Sequence, residues 1–263
     1  MLHMTECFAN NGAHSNTSTG ACTVTSTVDT LQNWCLSCTV PETNHDKILL
    51  HTSDNKLIFR WESDSPVSCC VDRQSFLHGG RPKEDVEHVE TCLVKVIKKL
   101  NSLRLPFKFE YIEAGDPGAF TLVYQPNCWD PRHGVFLASS FFPGAELGDR
   151  KITLYKDAFK TNFRSSIYNI LSHEFAHTLG MRHWNAVRAE VQYPSVYYPV
   201  RPEEYHSDSI MGPFDHPRER RFTKKDSAWL RRFYSKPDGS QIRNGDNVYT
   251  IKDSPVRPEG ADI

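Results

Sequence analysis

Apolar residues recur at helical spacing between Pro82 and Leu100. Val86, Val89, Leu93, Val96, Ile97 and Leu100 fall on one stripe, and charged residues occupy the opposite side. The spacing predicts a helix packed on a core, with Pro82 in its first turn. Short runs of β-branched and aromatic residues predict strands around it: KLIFRW at Lys56–Trp61, KFEYI at Lys108–Ile112 and FTLVY at Phe120–Tyr124. The turn-forming AGDPG separates the last two. Two more strands fit Val135–Phe141 and Lys151–Tyr155, with PGAELGD between them. A second helix is expected over Asn162–Leu179. A third starts at Thr223, where Thr-x-x-Asp ending at Asp226 forms a capping box and Trp229, Leu230, Phe233 and Tyr234 supply an inner face. Strand, helix, several strands and then helix suit an α+β domain with a mixed sheet. No internal repeat is present.

The flanks differ in texture. Residues 1–46 are rich in Ser, Thr, Asn and Cys with little periodicity and read as an N-terminal extension; residues 47–235 form the domain; residues 236–263 turn polar and rich in Gly and Pro and read as a tail. With 31 basic and 32 acidic residues the net charge is −1, so no global field would draw the chain to nucleic acid or to an anionic membrane. The basic run at 224–232 lies on the third expected helix and reads as a solvated face. No apolar run is long enough to span a membrane.

Eight cysteines (Cys7, Cys22, Cys35, Cys38, Cys69, Cys70, Cys92 and Cys128) allow up to four disulfides in an oxidising compartment, with the pairing open. They point to a secreted protein, as does the glycosylation sequon Asn16-Thr17-Ser18 if the chain is exported. The amino terminus, MLHMTECFANNG, shows no signal peptide. Cys35 and Cys38 form a lone CxxC, more readily a disulfide or inert thiols than a second metal site.

The segment 173–183, HEFAHTLGMRH, carries the candidate chemistry. His173 and His177 are four apart, so a helix stacks them on one face, where neutral imidazoles can grip one Zn²⁺. Glu174, beside them, is placed to work on a metal-activated water rather than to ligate. Gly180 can end the helix in a conformation few other residues adopt, and a turn there can bring His183 back as third ligand. Three protein ligands leave a fourth position for water and substrate, the arrangement of a catalytic zinc.

The pattern HExxHxxGxxH resembles the signature of the metzincin zinc endopeptidases, and other segments are similar to the matrixins, the matrix metalloproteinase type. SIMGP at 209–213 looks like their Met-turn, with Met211 under the metal. FLASSFFPGAELGD at 136–149 resembles the strand and loop above their cleft, and FTKKDSAWLRRFYS at 222–235 their last helix. The resemblance covers residues 47–235. It implies a sheet-and-helix upper lobe ending at the zinc helix, a smaller irregular lower lobe with the Met-turn, and a cleft between them. It also implies zinc on His173, His177 and His183, Glu174 as general base, and an extended protein or peptide substrate docked along Val135–Phe142.

Departures limit the likeness. Where the family holds a second, structural zinc, this chain has Ser139 and Thr153, with His133 nearby, and no calcium loop precedes Gly134. One catalytic zinc is therefore expected, without a structural zinc or calcium. The PRCG-type latency cysteine is missing, which leaves Cys7, Cys22, Cys35 or Cys38 as a possible thiolate plug. Pro213 stands where some metzincins place a transition-state tyrosine. Residues 184–209, rich in Pro and Tyr, are longer than the matrixin connection and either wall the pocket after the scissile bond or pack outside. Two rival functions remain: an inert binding module of the same fold, and a zinc peptidase restricted to short peptides. The oligomeric state is open.

Overall fold

A computed structural model describes residues 47–53, 55–113, 119–126, 137–183, 195–199, 209–212, 216–244 and 246–256. They form a mixed α+β structure. A five-stranded sheet has the order β4-β3-β5-β7-β6, built from β3 (Val67–Val71), β4 (Phe109–Tyr111), β5 (Phe120–Gln125), β6 (Ala138–Ser139) and β7 (Lys151–Tyr155). β4, β3, β5 and β7 run parallel, and β6 lies antiparallel at the edge. Two helices, α1 (Arg73–His78) and α2 (Lys83–Asn101), connect β3 to β4.

The predicted stripe of α2 is buried in full, together with Asp85 and Cys92. Pro82 stands one residue earlier than expected, as the N-cap. β3 escaped the sequence reading. Its residues, VSCCV, are all buried, as befits a strand with parallel neighbours on either side, and that leaves no alternation to read.

The expected helix over 162–179 is interrupted at Ser165–Ser166, giving α3 (Thr161–Arg164) and α4 (Ile167–Thr178). From Ile170 to Thr178 every residue of α4 is buried, the mark of a helix enclosed on all sides. Phe175 anchors it to the sheet, its ring packed edge-on against Phe109 and Phe120 at 5.4 and 5.5 Å. α5 (Lys224–Tyr234) starts with the predicted capping box between Thr223 and Asp226, and Trp229, Leu230, Phe233 and Tyr234 are buried as expected.

The chain after Lys236 corrects the expectation of a polar tail. β9 (Gln241–Asn244) and β10 (Asn247–Ser254) form an antiparallel hairpin, and β10 lies parallel to β2 (Leu57–Trp61). Ile251 sits opposite Ile58, and both are fully buried. Few apolar residues are needed because β2 already supplies a half-formed core. Arg60 on β2 ties the unit together: it donates to Asp253 at 2.6 Å and to the carbonyls of Phe233 and Tyr234 at 3.0 and 3.2 Å, so its charge closes the carboxyl end of α5. The expected first strand, Lys56–Trp61, is thus real as β2 but belongs to this three-stranded sheet. Part of the Pro- and Tyr-rich segment is also a strand: β8 (Ser195–Pro199) pairs antiparallel with β1 (Lys47–His51).

Cys69, Cys70 and Cys92 are buried free thiols, so none of the three contributes to the disulfides that eight cysteines allowed. Burial pushes the Cys69 thiol far up, away from the reactive thiolate. The other five cysteines, His133, Pro213 and the sequon lie outside the described residues. Among the described residues, no helix is long and apolar enough to cross a membrane.

Candidate metal centre

The end of α4 assembles the site. Gly180 has φ +91, and the bonds around it run from Gly180 N–H to the His177 carbonyl (2.8 Å) and from Met181 N–H to the Ala176 carbonyl (3.1 Å). This double bond pattern across a glycine is a Schellman cap, which stops the helix and reverses the chain. β1 secures the reversal, since His51 N–H donates to the Gly180 carbonyl at 3.0 Å and Leu50 bridges Met181. Two residues later His183 faces the helix it has just left. Nitrogens of His173, His177 and His183 lie within 4.8 Å of one another, a group that could hold a metal ion. His173 Nε2 and His183 Nε2 are 3.0 Å apart.

The nitrogens that point away from the cluster are engaged. His173 Nδ1 meets the Ile210 carbonyl at 2.9 Å, and His177 Nδ1 meets the Met181 carbonyl at 2.8 Å. A carbonyl only accepts, so both rings carry their proton on Nδ1 and turn an Nε2 lone pair toward the centre, the tautomer a metal ligand needs. All three rings are held neutral. Burial is the first cause for each and takes His177 down to about 4, while His173 and His183 fall well below the usual imidazole range, helped by neighbouring Arg220, Arg182 and histidine charges. A neutral imidazole is the species that binds metal, so the donor set fits one ion.

Glu174 lies on α4 between the two histidines in sequence and is buried. Ser140, on the segment after β6, donates to its backbone carbonyl at 2.9 Å and ties that segment to the helix at this point. Met211 is buried in the turn that follows Ile210. Ser209 braces that turn, donating from Oγ to Asp226 Oδ1 at 2.7 Å and accepting through its backbone carbonyl from Gly212 N–H at 2.7 Å. Asp226 Oδ2 also accepts from Ile210 N–H at 3.3 Å. The capping residue of α5 thereby holds the turn that orients His173. Across the β6–β7 ladder Ser139 and Thr153 stand directly opposite one another, so that position presents two hydroxyl residues and no imidazole.

Two participants, Arg220 and His51, lie outside the residues that the sequence pattern marks. Arg220 is buried with Nη1 2.6 Å from His173 Nδ1 and 2.9 Å from Nε2; one atom that close to both ring nitrogens sits against the ring face, off the in-plane lone pair. Its positive charge beside the ring has the same sign as an ion held by Nε2, so Arg220 works against that ion. Phe142 stacks on His51 at 4.2 Å and meets the His177 ring edge-on at 5.4 Å. His51 itself is driven down to about 3 by burial, then by Arg182 and His177. Phe142 belongs to the FFPG stretch, but nothing in a local pattern links Arg220 or His51 to residues 173–183.

No family model matches the chain, and no curated protein matches it.

Proposed function

We propose that the chain is a zinc-dependent endopeptidase of the metzincin type, acting on internal peptide bonds of proteins or peptides. The observation that supports it most is the convergence of His173, His177 and His183, two of them with Nδ1 already committed to backbone carbonyls, beside a buried carboxylate residue in the same helix. A structural metal would need no such glutamate, and a fourth protein ligand would be expected.

His173, His177 and His183 would hold the ion. Zinc, when bound, supplies a Lewis acid that acidifies a water molecule toward a pKa of roughly 7 and polarises the scissile carbonyl. Glu174 takes the proton from the attacking water and passes it to the departing amine, so the same carboxylate serves as base and then as acid. Met211 carries no proton and serves as apolar floor. The segment around β6 receives the substrate backbone in extended form, by main-chain hydrogen bonds that tolerate many side chains.

The test is hydrolysis of a quenched fluorogenic peptide, blocked at both ends, by wild type and Glu174→Gln with zinc measured in each. Retention of one zinc with a loss of activity of about 10² or more supports the assignment. A wild type that holds zinc but cuts nothing, with or without residues 1–46, points instead to a binding module.

A further inference from the structure

The segment between β6 and β7 touches the metal centre at one end and the end of the β10 strand at the other. Near the centre, Ser140 Oγ donates to the Glu174 carbonyl, and Phe142 packs edge-on to the His177 ring. Further along, Gly144 has φ +91 and lies so close to β2 that a Cβ there would come within 2.5 Å of the Phe59 ring. Arg150 closes the loop. Its Nε donates to the Ala145 carbonyl at 2.8 Å, while Nη1 donates to the carbonyls of Pro255 and Val256 at 3.1 and 3.0 Å. The guanidinium lies over Trp61 at 5.2 Å, and Val256 N–H is held in turn by Glu62 at 3.1 Å. One buried cation thus grips both the cleft loop and a strand end 106 residues away in sequence.

We infer that Arg150 is a positioning residue through which Pro255–Val256 sets the 140–149 loop against the metal centre, so that the grip on an extended substrate depends on the carboxyl-terminal hairpin. The inference rests on the peptidase reading for its substrate, but the contact itself does not. A local salt bridge would leave the loop free to move as a unit. Three carbonyls from two distant segments, gathered on one planar fork, do not. Phe142 and Ser140 are the points at which that restraint reaches His177 and Glu174.

Arg150→Met keeps a long apolar side chain and removes every donor; Arg150→Lys keeps the charge on a single ammonium. Hydrogen exchange, zinc content and peptide kinetics are measured on the full chain for each. In Arg150→Met the amides of Ala145 and Asp149 should exchange about tenfold faster while those of β3 and β5 stay unchanged. One zinc should remain, and KM for a quenched octapeptide should rise roughly fivefold or more with kcat within about twofold. Arg150→Lys should fall between. Unchanged exchange in the loop overturns the inference, as does faster exchange with unchanged KM. Uniformly faster exchange through the sheet with loss of zinc in both variants also overturns it, since Arg150 would then be serving the fold alone. If wild type holds zinc and cuts nothing, the peptidase reading falls. Binding of a fluorescein-labelled tripeptide hydroxamate to wild type and Arg150→Met then decides this one: weaker binding by the variant supports it and equal binding overturns it.

Discussion

The carbonyl of Ile210 lies 2.9 Å from Nδ1 of His173, so the residue just before Met211 decides which nitrogen of the first histidine faces the metal. The two residues are 37 apart in sequence and belong to different parts of the fold. What holds Ile210 there is Asp226, which is fully buried at the start of α5 and accepts from Ser209, Ile210 and Thr223. Capping a helix and orienting a ligand are thus the work of one carboxylate.

Asp226→Ala should therefore damage stability and metal binding together. Several buried donors lose their acceptor, at about 1–3 kcal/mol each where they find no other, so a loss of roughly 3 kcal/mol or more is expected in urea denaturation. Metal affinity should drop about 10–100-fold, as for other groups that orient a ligand. Asp226→Asn keeps one acceptor and should lie between. A variant destabilised as expected but with unchanged zinc affinity in a chelator competition would show that Ile210 does not need Asp226 to reach His173.

At Gly180 the constraint is conformational. The nearest atom to an added Cβ would be the Phe59 carbonyl at 3.6 Å, an ordinary contact, so space does not forbid a side chain. The φ of +91 does. Gly180→Ala should cost about 1–2 kcal/mol, with Gly180→Asn costing less because asparagine tolerates that region. Since His183 follows the reversal, zinc should be held more weakly in proportion. Equal zinc affinity in Gly180→Ala and wild type would mean that His183 reaches the site by another route.

Arg220 should oppose metal binding. Its Nη1 lies 2.6 and 2.9 Å from the two ring nitrogens of His173, and its charge has the same sign as the ion. Two like charges roughly 4 Å apart repel by about 1 kcal/mol even in water and by more at a buried site, so Arg220→Met should tighten zinc binding by roughly fivefold or more. Isothermal titration with a competing chelator reads this directly; weaker binding in the variant would show that Arg220 supports the ligand instead.

Much of this site was legible because its chemistry is local. His173, His177, Gly180 and His183 stand within eleven positions, and helix geometry plus one glycine suffices to bring them together. The capping box at Thr223 and the stripe of α2 were readable for the same reason. Contacts made by distant residues were not. Arg220 meets His173 across 47 positions, and Arg150 meets Val256 across 106, with no periodicity to announce either. The carboxyl-terminal hairpin was misread because its strands carry few apolar residues. Asn244-Gly245, a strong hairpin signal, was nonetheless present there.

Acid should weaken the fold through His51. His51 stacks on Phe142, and its Nδ1 is buried with no hydrogen-bond partner among the described residues. Its pKa is lowered from 6.5 to about 3, so the folded chain resists a proton that the unfolded chain accepts. The contribution of this neutral ring to stability is thus intact above pH 6.5, is lost progressively as pH falls from there, and is exhausted near the folded value of about 3. One such group adds at most about 1.4 kcal/mol per pH unit within that window. His51→Phe keeps the stacking and cannot titrate, so its urea midpoint should fall less than that of wild type between pH 6.5 and 5. His173, His177 and His183 resist protonation in the same way and add their own slopes, with or without metal, but equally in wild type and His51→Phe. Comparing the two proteins therefore isolates His51. Identical loss of stability in both would mean that the folded chain protonates this ring as readily as the unfolded one.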